Sequence, residues 1–156
     1  MKLIPLLMVF SLCNLLPLHA GDHSVSKGFV LVPVAPNAAE GVRVKFNHKH
    51  YRVSPTPIIT GADIRQATLD LDETGKGIVR SIDLGLTPEG AGKMADWISN
   101  AKSREVAAII EGKVISIFTV TGPDSSGGLA ITGNLSRHDA HKYVKKINRH
   151  AAGEKK

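Results

Sequence analysis

Cysteine is almost missing from this chain of 156 residues, Cys13 being the one thiol, so no disulfide within the chain can staple the fold. Aromatic residues make up only 4% of the sequence. That, with no recognisable nucleic-acid motif, excludes a nucleic-acid partner. Internal repeats and low-complexity tracts are missing too, beyond a charged tail at 151–156. Apolar residues run on at length only at the start, from Leu3 to Leu16, and Pro5 interrupts them there. This is short of the roughly 20 residues a membrane-spanning helix needs.

Residues 1–20 read as an export signal: Lys2, the apolar run, then Pro17-Leu18-His19-Ala20 with a small residue at the expected cut. The expectation is a periplasmic or secreted protein after cleavage at about residue 20. Lipidation at Cys13 fits less well, because Leu12 stands where a small residue is needed, and retention of the segment as an anchor is the remaining alternative. Without Lys2, the 20 Lys and Arg and 14 Asp and Glu leave a formal charge of +5. Much of the excess lies in His141-Lys142, Lys145-Lys146, Arg149-His150 and Lys155-Lys156. A solvated helix face explains such a cluster, and docking on anionic lipid or an acidic protein surface is the functional alternative.

What remains is enough for one small domain. Residues 21–50 form a leader and N-terminal strands: 21–27 is small and polar, Phe29 to Val34 is apolar but broken by Pro33, which predicts an edge strand at best. Val42 to Phe46 alternates as a half-buried strand, and Tyr51 and Val53 continue the pattern after a break near Asn47. Thr60 and Asp63 have capping-box spacing, predicting a helical turn with Ile64 and Ala67 on one side. Thr68 to Leu71 and Ile78 to Leu84 form a hairpin around Asp72 to Gly77. Thr87-Pro88 opens a helix whose stripe is Ala91, Met94, Ala95, Trp97, Ile98 and Ala101. Val106 to Ile110 and Val114 to Val120 are β-branched runs joined by a tight Glu111-Gly112-Lys113 turn. Gly128 to Thr132 is another strand, and a helix starts at Ser136 with Ala140, Tyr143, Val144 and Ile147 inward. The predicted fold is α+β, a two-layer sandwich with a mostly antiparallel sheet and two main helices on one face.

No catalytic constellation stands out. Asp70 to Gly75 imitates half of a calcium loop, but Ser81 stands where the bidentate Glu belongs and the flanks read as strands. His48 and His50 would share a face on a regular strand, as metal ligands do, yet Lys45, Lys49 and Arg52 surround them. His138 and His141 share a helix face with the same weakness. Gly122 to Gly128 lacks both the nucleophile-elbow spacing and the Lys-Ser/Thr ending of a phosphate loop. A flexible turn accounts for it, although such loops often carry binding. The expectation is therefore no catalytic residue, no metal and no cofactor, with Ser125, Ser126, Gly127 and Gly128 as the candidate binding site. The competing reading is a small secreted hydrolase or metal-binding protein using His48 and His50 or the Ser125 loop. An envelope adaptor docking through its basic C-terminal helix is the third.

Several segments, taken in order, resemble the head subdomain of the first periplasmic domain of SecD, an auxiliary subunit of the bacterial Sec export channel. They are Pro57 to Ile64 with Ala67, Glu89-Gly90, Ala107 to Ser116, Gly127 to Asn134 and the helix start from Ser136 to Ala140. The similarity covers roughly residues 51–150. It implies contact with polypeptide or an envelope protein complex, and no chemistry by the head itself. It does not extend to a multispan membrane part, and residues 21–50 leave little room for the base subdomain that accompanies the head. Without intramembrane ionisable groups, this chain is not expected to couple proton flow to motion.

Overall fold

In the computed structural model, the residues described are 27–35, 41–74, 77–122 and 127–153, with the side chains of 72–77 left aside. The export signal, the lipidation question at Cys13, Ser125, Ser126 and the end of the basic tail lie outside them. Among the described residues no helix is long and apolar enough to cross a membrane.

A four-stranded antiparallel sheet forms the centre, in the order β4 (Ile59–Thr60), β1 (Phe29–Pro33), β7 (Glu105–Ile110), β8 (Lys113–Thr119). Both its faces are covered, which is why β1 and β7 read as unbroken apolar runs instead of alternating ones. Phe29, Leu31, Val106, Ala108 and Ile110 point into the larger core with both helices. Val30, Val32, Ala107 and Ile109 point the other way, into a smaller core. That smaller core is closed by a hairpin of β2 (Val42–Phe46) and β3 (Lys49–Val53), whose Val42, Val44, Phe46, Tyr51 and Val53 face inward.

Pro33 does not confine β1 to an edge, contrary to the sequence expectation. β1 lies between β4 and β7, and β4 pairs only with Val30 and Leu31. The side of β1 that lacks an N–H at Pro33 therefore faces past the end of that short ladder. The Pro33 carbonyl, which faces the same way, accepts from Ser54 N at 2.9 Å.

The third sheet is β5 (Ile64–Thr74), β6 (Gly77–Leu86) and β9 (Gly128–Thr132), all antiparallel. The predicted hairpin is present and longer than expected, with Leu71 opposite Arg80. β9 reaches only to Ser81, so the far end of the hairpin extends beyond it, where Leu71, Ile78 and Val79 are about half exposed. The helical turn at Thr60 is shorter than expected. A 3-10 turn covers Gly61–Asp63 only, and Ile64 and Ala67 belong to β5. A register shift between Ile64 and Gln66 marks the switch.

Helix α1 (Pro88–Asn100) starts where the sequence placed it: Thr87 Oγ1 accepts from Gly90 N at 3.1 Å, with Pro88 in the first turn. Helix α2 (Arg137–Ala151) starts at Ser136, whose hydroxyl accepts from Asp139 N at 3.1 Å. Buried Leu135 just before the cap and buried Ala140 sit at hydrophobic-staple positions. Both helices pack on the larger core through Met94, Trp97, Ile98, Ala140, Tyr143, Val144 and Ile147, giving the α+β sandwich expected.

Near its C-terminus α2 crosses β5, and Asn148 behaves like one more strand residue. Its Oδ1 accepts from Ala67 N at 2.7 Å and its Nδ2 donates to Ala67 O at 2.9 Å. Asn148→Ala should cost about 1–3 kcal/mol in chemical unfolding, since it strands both backbone groups of a buried residue. A change inside measurement error would show that water replaces the amide.

Candidate functional site

Two polar nodes lock the helices, and both use residues the sequence had flagged for other reasons. The Asp63 side chain, 5% exposed, receives Lys93 Nζ at 2.7 Å, Thr60 N at 2.9 Å and Thr60 Oγ1 at 3.0 Å. Burial pushes its pKa up, but the Lys93 and Thr60 hydrogen bonds outweigh that, leaving it below the ordinary carboxylate value. Hydrogen bonding to Asp63 raises Lys93 in turn. The Asp63 carbonyl accepts from Thr87 N at 2.9 Å. Gly90 packs against that same carbonyl so closely that a Cβ there would lie 2.5 Å from the oxygen. Thus Asp63 and Gly90, from two separate segments of the family resemblance, are neighbours, and their shared contact is structural.

Glu111 holds the second node. It and Gly112 have φ of 50° and 80°, the two left-handed positions of a type I′ turn between β7 and β8. Its carboxylate takes Lys146 Nζ in a short contact and Arg149 Nη2 at 3.3 Å. The Lys146 hydrogen bond is the main reason its pKa is lowered. His150 Nε2 is 3.6 Å away, past hydrogen-bond reach. Part of the basic charge of α2 is therefore consumed internally. Arg137, His138, His141, Lys142 and Lys145 remain exposed.

Between β8 and α2 runs a groove of about 340 Å³. Its floor is Phe46, Val114, Ile115, Leu135 and Tyr143; Lys45, Asn47, Lys113, Asn134 and Asp139 complete its lining. β8 is the outer strand of the central sheet. The register shifts between Ala108 and Ile109, making Ile115 an inserted residue that turns into the larger core beside Val114 in the smaller one. Such bulges re-aim side chains at sheet edges. Farther along β8 the edge is closed, because Ser116 Oγ donates to Thr132 O at 2.5 Å. Lys45 and Lys113 are exposed and belong to none of the ion pairs among the described residues.

Of the loop expected to bind, Gly127 and Gly128 are among the described residues, and neither lines the groove. Gly127 has φ of 76° and its carbonyl accepts from Leu86 N at 3.4 Å, so its left-handed backbone ends the loop at β6. Gly128 opens β9 opposite Gly85. Gly128 and the groove are at opposite ends of β9, roughly 16 Å apart for five strand residues. His48 is not on a strand but in the β2–β3 turn at φ 65°, so the shared-face argument for it and His50 fails. Among the described residues no group of three or more His, Cys, Asp or Glu is placed to hold a metal. Asp70 and its neighbours up to Thr74 lie in an antiparallel ladder, unlike a calcium loop.

The groove escaped sequence reading because four distant segments build it. Its one local signal was Lys113-Val114-Ile115, where a lysine opens an apolar strand after a tight turn.

Comparison with known proteins supplies the remaining context. The family model for the SecDF P1 head subdomain matches residues 38–149. Protein translocase subunit SecD of Dictyoglomus turgidum is 33% identical over 87 residues, which are 56% of this chain and 21% of that protein. Protein translocase subunit SecDF of Brucella abortus is 31% identical over 84 residues, 53% of this chain and 11% of that protein. The chain thus matches about a fifth or less of the length of these relatives. Among solved structures, SecDF in a super-membrane-facing form aligns with a TM-score of 0.57 at 19% identity, covering 76% of this chain and 18% of that one. A structure of SecDF as a membrane component that enhances protein export aligns at 0.56 and 21% identity, covering 76% and 60%. At such identities the likeness speaks for the fold.

Proposed function

The chain belongs to the SecDF P1 head subdomain family, and from that premise we propose that it is a non-catalytic module that holds extended polypeptide on the exported side of the membrane. The observation that carries the reading is the groove beside outer strand β8, where apolar side chains such as Phe46 and Tyr143 lie among a largely polar lining. An extended segment can lay alternate side chains into such a groove, and the stretch of β8 edge before Ser116 supplies sequence-tolerant backbone pairing. The Ser125 to Gly128 loop is a second place of contact.

Fluorescence anisotropy with a labelled, unstructured peptide tests this. Asn134 is exposed on the groove wall, and Asn134→Trp should fill the groove, weakening binding about tenfold or more while leaving the melting temperature in place. That factor corresponds to about 1.4 kcal/mol. Unchanged affinity would remove the groove from the account.

A further inference from the structure

The outer face of the β2–β3 hairpin is cationic without relief. Gly41 to Val53 contains Arg43, Lys45, Lys49, Arg52, His48 and His50, and no Asp or Glu. The register sets Arg43 opposite Arg52 and Lys45 opposite His50 on that face, while Val42, Val44, Phe46, Tyr51 and Val53 turn inward and Lys49, opposite Phe46, lies on their side at the end of the hairpin. Like charges directly opposite one another destabilise a strand pair. A two-stranded hairpin, marginal by itself, carries that cost here with no ion pair among the described residues. Among the described residues no carboxylate lies within salt-bridge distance of Arg43, Lys45, Lys49 or Arg52. The Arg52 guanidinium donates only to a backbone oxygen, Gly41 O, at 2.9 Å. By contrast, α2 has part of its charge neutralised by Glu111.

Lys45 belongs to both this face and the groove lining, and Lys113 continues the positive charge along β8. The facing acid in the groove, Asp139, accepts from Ser136 Oγ at 2.6 Å. We propose that the hairpin face selects acidic stretches of an extended polypeptide, the cationic strip engaging Asp and Glu side chains of a segment whose neighbouring residues lie in the groove. The inference rests on the polypeptide-binding reading above and adds the class of sequence preferred. Continuity with the groove favours polypeptide over a lipid surface, which would need no such groove.

The experiment titrates the full chain with two unstructured peptides, one carrying four Asp or Glu and the other the matching Asn or Gln. Exposed ion pairs contribute up to about 1 kcal/mol each, so the acidic peptide should bind roughly tenfold tighter. The preference should shrink between about 50 mM and about 500 mM salt, as the screening length falls from roughly 14 Å to roughly 4 Å. Arg43→Ser with Arg52→Ser should abolish it and Lys45→Ser should weaken it, while Lys142→Ser with Lys145→Ser on α2 should leave it intact. Equal affinity for both peptides, with Asn134→Trp still blocking them, overturns this inference and leaves the groove reading standing. Loss of preference through the α2 pair overturns it in favour of the helix. Capture by vesicles of anionic phospholipid with the same arginine dependence, and no discrimination between peptides, overturns it in favour of a membrane. Failure of both peptides to bind at all removes both readings.

Discussion

Gly90→Ala should lower stability by about 1–3 kcal/mol, whereas Gly92→Ala, two residues along the same helix, should raise it by up to about 1 kcal/mol. The difference is one of neighbours. A Cβ at Gly90 would lie 2.5 Å from Asp63 O and 2.9 Å from Asp63 Cβ, while one at Gly92 would meet nothing within 4 Å. Relief at Gly90 requires α1 to back away from the 3-10 turn, which also stretches the hydrogen bond from Thr87 N to Asp63 O. Helix propensity alone predicts that both substitutions stabilise. Thermal unfolding of the two variants separates the accounts, with opposite signs expected and equal gains contradicting the close approach.

Asp63→Asn should be the second large effect, and its size should depend on pH. The folded carboxyl titrates below its unfolded value, so it contributes stability that is fully present above the unfolded pKa of about 3.9. That contribution is lost as pH falls through the lower folded value. The amide keeps the shape but not the charge facing Lys93, and it places a donor near Thr60 N. A loss of about 1–3 kcal/mol is expected at neutral pH. Below about pH 4 the parent protein should lose its advantage, and the two melting curves should converge. A gap that stays constant from pH 7 to pH 2 would mean that packing, not the ionised carboxylate, holds the corner. Lys93 is too exposed, at 45%, for its side of the pair to add much.

How far the sequence foretold this structure depended on the distance between partners. Local signals worked: Thr87-Pro88 and Ser136 begin helices, and the runs around Glu111-Gly112 pair across a two-residue turn. The order of the segments also carried the family resemblance. Pro33 misled because its cost depends on what lies beside it, and the shortness of β4, 26 or more positions away, leaves no local trace. Ile64 and Ala67 fitted a helix by spacing, but pairing with β6 prevailed over a capping signal that sustains only one 3-10 turn. For the site, the sequence named the Ser125 to Gly128 loop. The groove needed β2, β8, Asn134-Leu135 and α2 to meet, and no single stretch holds enough of it to be read. Of the charge on α2, the part carried by Lys146 and Arg149 is held by Glu111, 35 residues before Lys146, a partner that local sequence does not reveal.

The claim that the groove holds polypeptide is tested most directly by photocrosslinking. A photoreactive side chain would be placed in turn at Lys113, Asn134, Ser125 and, on the exposed face of α1, Asp96, and the purified chain irradiated with one defined unfolded polypeptide. Mass spectrometry would then locate the adducts. Adducts concentrated at positions 113 and 134, weaker at 125 and at background at 96, are the predicted result. Adducts spread evenly over all four positions, or confined to position 125, would contradict it.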